Sequence, residues 1–361
     1  MNFSDYVSGL RGSSHLYANA SNGWKDLLVA LRQRSGSARA NVVVPSYLPA
    51  KLYRASLAAD CAVRFYEVRG ACVVDPIKVA TLIDSDTIAV LVIHYFGFPG
   101  PLDDVVRLTR ERETVLVEDC ALALGGTHDG QALGTFGDAA LFSMRKMFNF
   151  SEGGLLRLGD ALIDPDDDDD GPFAPGWVSR VSSFFSVRHF LRQRAKYAYV
   201  RLTGGADPLR LFRYDPPGYM DWDAPQSLSV KLLSRFSEQR LARQDVDAVV
   251  AARRRNYVFL AERFPEATGF EPLQRTLDDG VAPYSFPFLV DGGKRDGFRQ
   301  RLLRGGVVAG AGWPESPFDH GERTRRLSAS LLELPVHQSL TQAQLEGSLR
   351  AVEAIAVRRS K

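Results

Sequence analysis

Gly137-Asp138-Ala139-Ala140-Leu141-Phe142-Ser143-Met144-Arg145-Lys146-Met147-Phe148-Asn149-Phe150-Ser151-Glu152-Gly153-Gly154, read together with the upstream run Thr114-Val115-Leu116-Val117-Glu118-Asp119, decides the fold. The upstream run is a short apolar strand that delivers a carboxylate, Asp119, at its carboxyl end. A second short strand then leads to Lys146 and a Glu-Gly-Gly turn. A carboxylate beyond one strand and an amine beyond the next is an arrangement that holds pyridoxal 5'-phosphate. The carboxylate keeps the ring nitrogen protonated so that the ring withdraws electrons, and the amine takes the cofactor covalently. Taken singly, Lys146 reads more simply as a surface lysine and Asp119 as a strand-end cap, because both residue types are mostly exposed.

The surrounding pattern supports the joint reading. Continuous apolar runs predict strands over 41–44, 62–68, 87–94 and 114–118, separated by helical patterns over 26–32, 50–59, 76–82 and 102–112. Strands rich in Val, Ile and Leu that alternate with helices imply an α/β fold, with a mostly parallel sheet covered on both faces. Ligands of such sheets bind beyond the carboxyl ends of the strands. Pro45-Ser46-Tyr47, His94-Tyr95 and Asp119 all stand at those ends.

From about Asn19 to Asp160 the chain resembles the DegT/DnrJ/EryC1/StrS family, the sugar aminotransferases of fold-type I. The resemblance rests on Val42-Val43-Val44-Pro45-Ser46-Tyr47, His94-Tyr95-Phe96-Gly97, Val117-Glu118-Asp119-Cys120-Ala121, Gly134-Thr135-Phe136-Gly137-Asp138, Phe142-Ser143 and Glu152-Gly153-Gly154. Counting back from the Glu-Gly-Gly turn puts Lys146 in register with the family's cofactor-bearing lysine, whereas counting forward from Ser143 puts Phe148 there. The backward count confines the deletion to the turn before the lysine.

The resemblance implies that the phosphate lies at the amino terminus of a helix opening at Gly23-Trp24, where free N–H groups and the helix dipole attract an anion. Ser143 would donate a hydroxyl from the other side. Four departures are visible. Leu122 stands where the family has a polar side chain against the ring's phenolic oxygen, and Pro49 where an aromatic residue stacks on the ring, leaving Tyr47 as the nearby substitute. Ser21-Asn22-Gly23-Trp24 replaces Ser-Gly-Thr, and Tyr219-Met220-Asp221-Trp222-Asp223 replaces an Asn-Tyr-Arg turn that reaches across a dimer.

Length and composition agree with such a protein. At 361 residues the chain is long enough for two domains. These are expected as a large cofactor-binding domain over 1–235 and a smaller C-terminal α+β domain over 236–361. A net charge of +2 points to no nucleic-acid partner. Six histidines without ligand spacing predict no metal site, and three cysteines without CxxC spacing fit a reducing cytoplasm. The start Met1-Asn2-Phe3-Ser4-Asp5-Tyr6 has neither a cationic residue nor an apolar run, which argues against a secretory signal, and no run of about 18 apolar residues occurs to predict a membrane-spanning helix. Motifs for dinucleotide, P-loop, zinc-protease and serine-hydrolase chemistry are absent as well.

The segment 164–215 is read as an insert: a solvated acidic loop with Asp166 through Asp170, then a basic and aromatic stretch over 177–202. That stretch reads as a helical hairpin packing its aromatics on the body or on a partner subunit, in preference to a basic helix lying on an anionic membrane surface or gripping a nucleotide-sugar diphosphate, because aromatics at helical spacing are more often core. Helices are predicted over 228–236 and 238–264, and a solvated helix face accounts for Arg253-Arg254-Arg255. Tyr284 to Val290 reads as a strand, 295–303 as a helix, and Gly305-Gly306-Val307-Val308-Ala309 as the start of another strand.

The expectation is therefore a dimeric pyridoxal-phosphate-dependent aminotransferase. Its substrate would be a nucleotide-linked keto-sugar, its donor an amino acid such as glutamate, and its role polysaccharide or secondary-metabolite sugar biosynthesis. Lys146 and Asp119 would be catalytic, with Gly23, Trp24, Tyr47 and Ser143 completing the cofactor site. A degenerate scaffold that binds without catalysing, or a sugar dehydratase, is the alternative. Retention of Lys146 argues against dehydration.

Overall fold

A computed structural model describes residues 1–68, 74–148, 150, 152–163, 179–180, 187, 191, 231–266, 269–291, 294–313 and 321–357. The insert over 164–215 and its basic-aromatic stretch lie outside the described residues, except for 179–180, 187 and 191. Among the described residues no helix is long and apolar enough to cross a membrane.

A short helix α1 (Phe3–Gly9) and strand β1 (Ser13–Tyr17) precede α2 (Ala20–Ser35). Then come β2 (Asn41–Pro45), α3 (Ala50–Ala58), β3 (Ala62–Tyr66), α4 (Pro76–Ala80), β4 (Thr87–Ile93), α5 (Leu102–Glu111) and β5 (Val115–Asp119). A small hairpin, β6 (Thr127–His128) and β7 (Gln131–Ala132), leads to β8 (Ala139–Phe142), α6 (Met144–Phe148) and β9 (Gly154–Leu158). With β10 (Ser179–Arg180) and β11 (Lys231–Leu232), nine strands join in the order β10-β11-β1-β9-β8-β5-β4-β2-β3. The run from β3 to β8 is parallel, while β9 pairs antiparallel with both β8 and β1. Every residue of β2 and β4 is buried, as expected of strands covered on both faces.

The remaining helices are α7 (Arg235–Leu241), α8 (Val246–Arg263), α9 (Arg295–Arg304), α10 (Glu322–Ser330) and α11 (Gln342–Val357). They accompany a second sheet of β12 (Phe270–Pro272), β13 (Ser285–Val290) and β14 (Leu331–Pro335), in the order β12-β13-β14. A separate hydrophobic core, with Tyr257, Phe286, Phe288, Phe298 and Val352 among its members, lies under that sheet.

Three sequence expectations are corrected. The helix foreseen over 228–236 is a strand at Lys231–Leu232 followed by α7. The long helix foreseen over 238–264 is two helices, because Asp245 caps the second by accepting from Ala248 N. The strand foreseen from Gly305 is a turn that makes one bridge, Gly310 to Glu333, and Gly306 has a positive φ of 81° there.

One buried cluster locks the strand ends that carry the site. The Glu118 carboxylate accepts from Phe136 N and Gly137 N at 2.8 and 2.7 Å, from Gly134 N at 2.8 Å and from His94 Nε2 at 3.0 Å. His94 Nδ1 accepts from Gly100 N, so the ring is the neutral tautomer with its proton on Nε2. Burial pushes the Glu118 carboxyl upward, but the hydrogen bond from His94 and the N–H groups of Gly137 and Gly134 outweigh it and hold the carboxyl below its ordinary value. A depressed carboxyl stabilises the fold above its unfolded range, and that stability is lost as pH falls through the folded value. Glu118→Gln would turn an amide N–H against at least one backbone N–H, and we expect it to cost about 3 kcal/mol. Thermal melting measures this, and an unchanged midpoint would show that the four bonds are dispensable.

Candidate active site

Glu118 and Asp119 are neighbours on β5, so their side chains leave opposite faces of the sheet. Glu118 goes to the cluster above, and Asp119 lies on the other face at the carboxyl end of β5, buried. Its Oδ1 accepts from Ala121 N at 2.9 Å, and no donor among the described residues reaches its other oxygen. Burial pushes the Asp119 carboxyl upward, opposed by the charge of Lys146, the Ala121 N–H and His94. A buried carboxylate with an unfilled acceptor is best satisfied by a cationic donor.

Ser143 and Lys146 follow β8, the strand next to β5, where Leu141 pairs with Asp119. Lys146 N donates to Ser143 O at 3.2 Å, and the Ser143 hydroxyl makes no hydrogen bond among the described residues. Lys146 Nζ has no ion pair among the described residues and lies 6.0 Å from the centre of the Trp313 ring. The helix that carries it is pinned from below. Arg253 of α8 donates to Lys146 O, Met147 O and Tyr284 O at 3.4, 3.3 and 2.9 Å, and Gln338 Nε2 donates to Met147 O at 2.9 Å. A cation at the carboxyl end of a helix also offsets its dipole. Burial lowers the Arg253 guanidinium to about 10, a shift opposed by Tyr284.

The expectation of a solvated face for Arg253 is thus corrected, since it is 1 % exposed. The sequence held a signal for this. Val246, Arg253, Tyr257 and Leu260 are all buried, so Arg253 sits on the helix's apolar stripe.

Tyr47 stands at the end of β2, but its ring is buried between Tyr95 and Trp313, with centroids 5.9 and 5.0 Å away. Its hydroxyl accepts from Trp313 N at 3.1 Å. Trp313 is therefore the aromatic ring recorded beside the Lys146 amine, a contact no sequence motif announced. Leu122 is buried in the main core, and Pro49 caps α3.

The helix start foreseen at Gly23-Trp24 is corrected. Asn19 caps α2 by accepting from Asn22 N, which places Ala20, Ser21 and Asn22 in the first turn. Gly23 packs against Tyr17 and Leu156, and Trp24 is fully buried with Nε1 donating to Ser56 Oγ. The helix start nevertheless faces the Glu-Gly-Gly turn. Gly153 N donates to Ala18 O at 2.7 Å, and a Cβ on Gly154 would sit 2.3 Å from Ala20 N. Glu152 accepts from the hydroxyls of Ser234 and Ser237 at the start of α7.

Arg54, Arg145 and Lys146 lie close enough to Lys51 to act on it by charge. Burial lowers the Lys51 amine, and the charges of Arg145, Arg54 and Lys146 lower it further.

Residues 2–164 match the DegT/DnrJ/EryC1/StrS aminotransferase family. The chain is similar to a UDP-N-acetyl-3-dehydro-alpha-D-glucosamine 3-aminotransferase of Acidithiobacillus ferrooxidans, 30% identical over 44% of this chain and 44% of that one. It is also similar to a GDP-perosamine synthase of Escherichia coli O157:H7, 35% identical over 22% of this chain and 23% of that one. The matched stretches thus span less than half of these relatives' length. Among solved structures, the Helicobacter pylori aminotransferase PseC, involved in the biosynthesis of pseudoaminic acid, superposes with a TM-score of 0.73 at 13% identity. That match covers 99% of this chain and 89% of PseC, and at that identity it speaks for the fold.

Proposed function

Residues 2–164 belong to the DegT/DnrJ/EryC1/StrS aminotransferase family, and on that premise we propose that this chain is a pyridoxal-phosphate-dependent aminotransferase acting on a nucleotide-linked keto-sugar. The observation that carries the reading is the unfilled oxygen of buried Asp119, coupled by charge to a Lys146 amine that has no ion pair among the described residues. These residues fit the cofactor. Asp119 would hold the ring N–H, Lys146 the aldehyde carbon, and Ser143 with the first turn of α2 the phosphate. When bound, pyridoxal phosphate supplies an electron sink. Lys146 Nζ would be the base, accepting a proton from the donor amino acid and returning one to the sugar carbon. Trp313 stands beside it, its ring packed against Tyr47 and Tyr95. A cytoplasmic homodimer belongs to the same reading, and sedimentation velocity is expected to give one dimer-sized boundary.

The test is direct. Protein incubated with pyridoxal phosphate is expected to turn yellow, and borohydride followed by peptide mapping is expected to fix the cofactor on Lys146. Amination of keto-sugars linked to UDP, GDP or dTDP, with glutamate as donor, then reads activity. A chain that stays colourless would favour the degenerate scaffold that Leu122 and Pro49 raise as the alternative, and label on another lysine would show the register to be wrong.

A further inference from the structure

Glu333 lies on β14 of the smaller sheet, far in sequence from every motif of the site. Its backbone makes two bonds with Gly310, N to O in each direction, at 2.9 and 3.0 Å. Its side chain accepts from Ser285 Oγ through one oxygen and from Gly312 N at 3.2 Å through the other. The next residue is Trp313, whose N–H donates to Tyr47 and whose ring borders Lys146. Gly312 itself has a φ of 60°, and a Cβ there would come within 2.1 Å of Tyr47 Oη, so only glycine fits this seat, and its N–H is the loop's side-chain tie to Glu333. Glu333 also senses Lys146 directly. Burial pushes its carboxyl upward, while Ser285, the Gly312 N–H and the Lys146 charge pull it down.

We propose that Glu333 is a positioning residue that seats the Gly310–Trp313 loop against the large domain, so that Trp313 shields Lys146 Nζ. This rests on the reading of Lys146 as the working amine. The carboxylate suits the task because its two oxygens take two donors from different segments, the strand residue Ser285 and the loop residue Gly312. Shielding matters because an amine that must exchange protons with one substrate atom works best where water does not compete.

The experiment follows acetylation of Lys146 by trace acetic anhydride, read by peptide mass spectrometry in the full chain without added pyridoxal phosphate. Glu333→Ala is expected to label about five times faster, the factor set by losing one hydrogen bond that holds a loop. Glu333→Gln is expected to stay within about twofold of the parent, because its amide oxygen still accepts from Gly312 N while its NH2 turns to Ser285 Oγ, a hydroxyl able to accept. Gly312→Ala is expected to raise labelling as Glu333→Ala does, without altering Glu333.

A Glu333→Ala rate equal to the parent's would overturn the proposal. So would a Glu333→Gln rate as high as that of Glu333→Ala, which would make the effect one of charge. Should Glu333→Ala fail to fold, a parental rate in Gly312→Ala overturns it instead. Labelling does not depend on turnover, so a chain that proves not to transaminate leaves this result standing, and parental labelling in the variants leaves transamination untouched.

Discussion

Lys146→Ala is expected to lower transamination by a factor on the order of 10⁴, the upper range for removing a positioned general base. The fold should survive. Lys146 Nζ makes no ion pair among the described residues, and the helix that carries it is held through backbone carbonyls by Arg253 and Gln338. Melting should therefore stay close to the parent's, as for a surface substitution away from any network. A substitute amine is Lys51, whose own amine is lowered in the parent by burial, Arg145, Arg54 and Lys146, so that burial and the two arginines still act on it in the variant. It starts from α3, however, and not from the strand end beside Asp119. Small free amines should restore part of the rate. Turnover within tenfold of the parent would show that another group moves the proton.

The parts of the site legible in the sequence are those built from local pattern. Continuous apolar strands ending in Pro45-Ser46, His94 and Glu118-Asp119 placed the strand ends, because a strand covered on both faces leaves polar residues only where it stops. The start of α2 was less legible. Asn19, Ser21 and Asn22 can each cap a helix, and the structure selects Asn19, whose side chain accepts from Asn22 N. Trp313 and Glu333 were not legible at all. The Trp313–Tyr47 bond spans 266 positions, and nothing local distinguishes a glutamate that seats a distant loop from one on an exposed edge. Arg253 was legible in principle, but a charge inside an arginine triplet reads as solvent-facing until it is set against the helix period. The run Val307-Val308-Ala309 misled because its apolar residues serve a turn between two glycines and not a ladder.

Asp119→Asn should separate function from stability. In the proposed role the carboxylate would hold a proton on a ring nitrogen; the amide would keep its bond from Ala121 N but present an N–H where the second oxygen is an unfilled acceptor. A neutral pyridine is a poor electron sink, so turnover is expected to fall by a factor on the order of 10² or more, each tenfold corresponding to about 1.4 kcal/mol of barrier. Binding at Lys146 should persist. Stability of the cofactor-free protein should move the other way. The Asp119 carboxyl is raised by burial above its ordinary 3.8, so the ionised group destabilises the fold at neutral pH, and protonation relieves this as pH falls through the raised value. Asp119→Asn carries no such charge. Its melting midpoint without cofactor is thus expected to exceed the parent's near neutrality, with the gap closing toward acid. A less stable and fully active variant would mean that Asp119 serves the fold and does not face the ring.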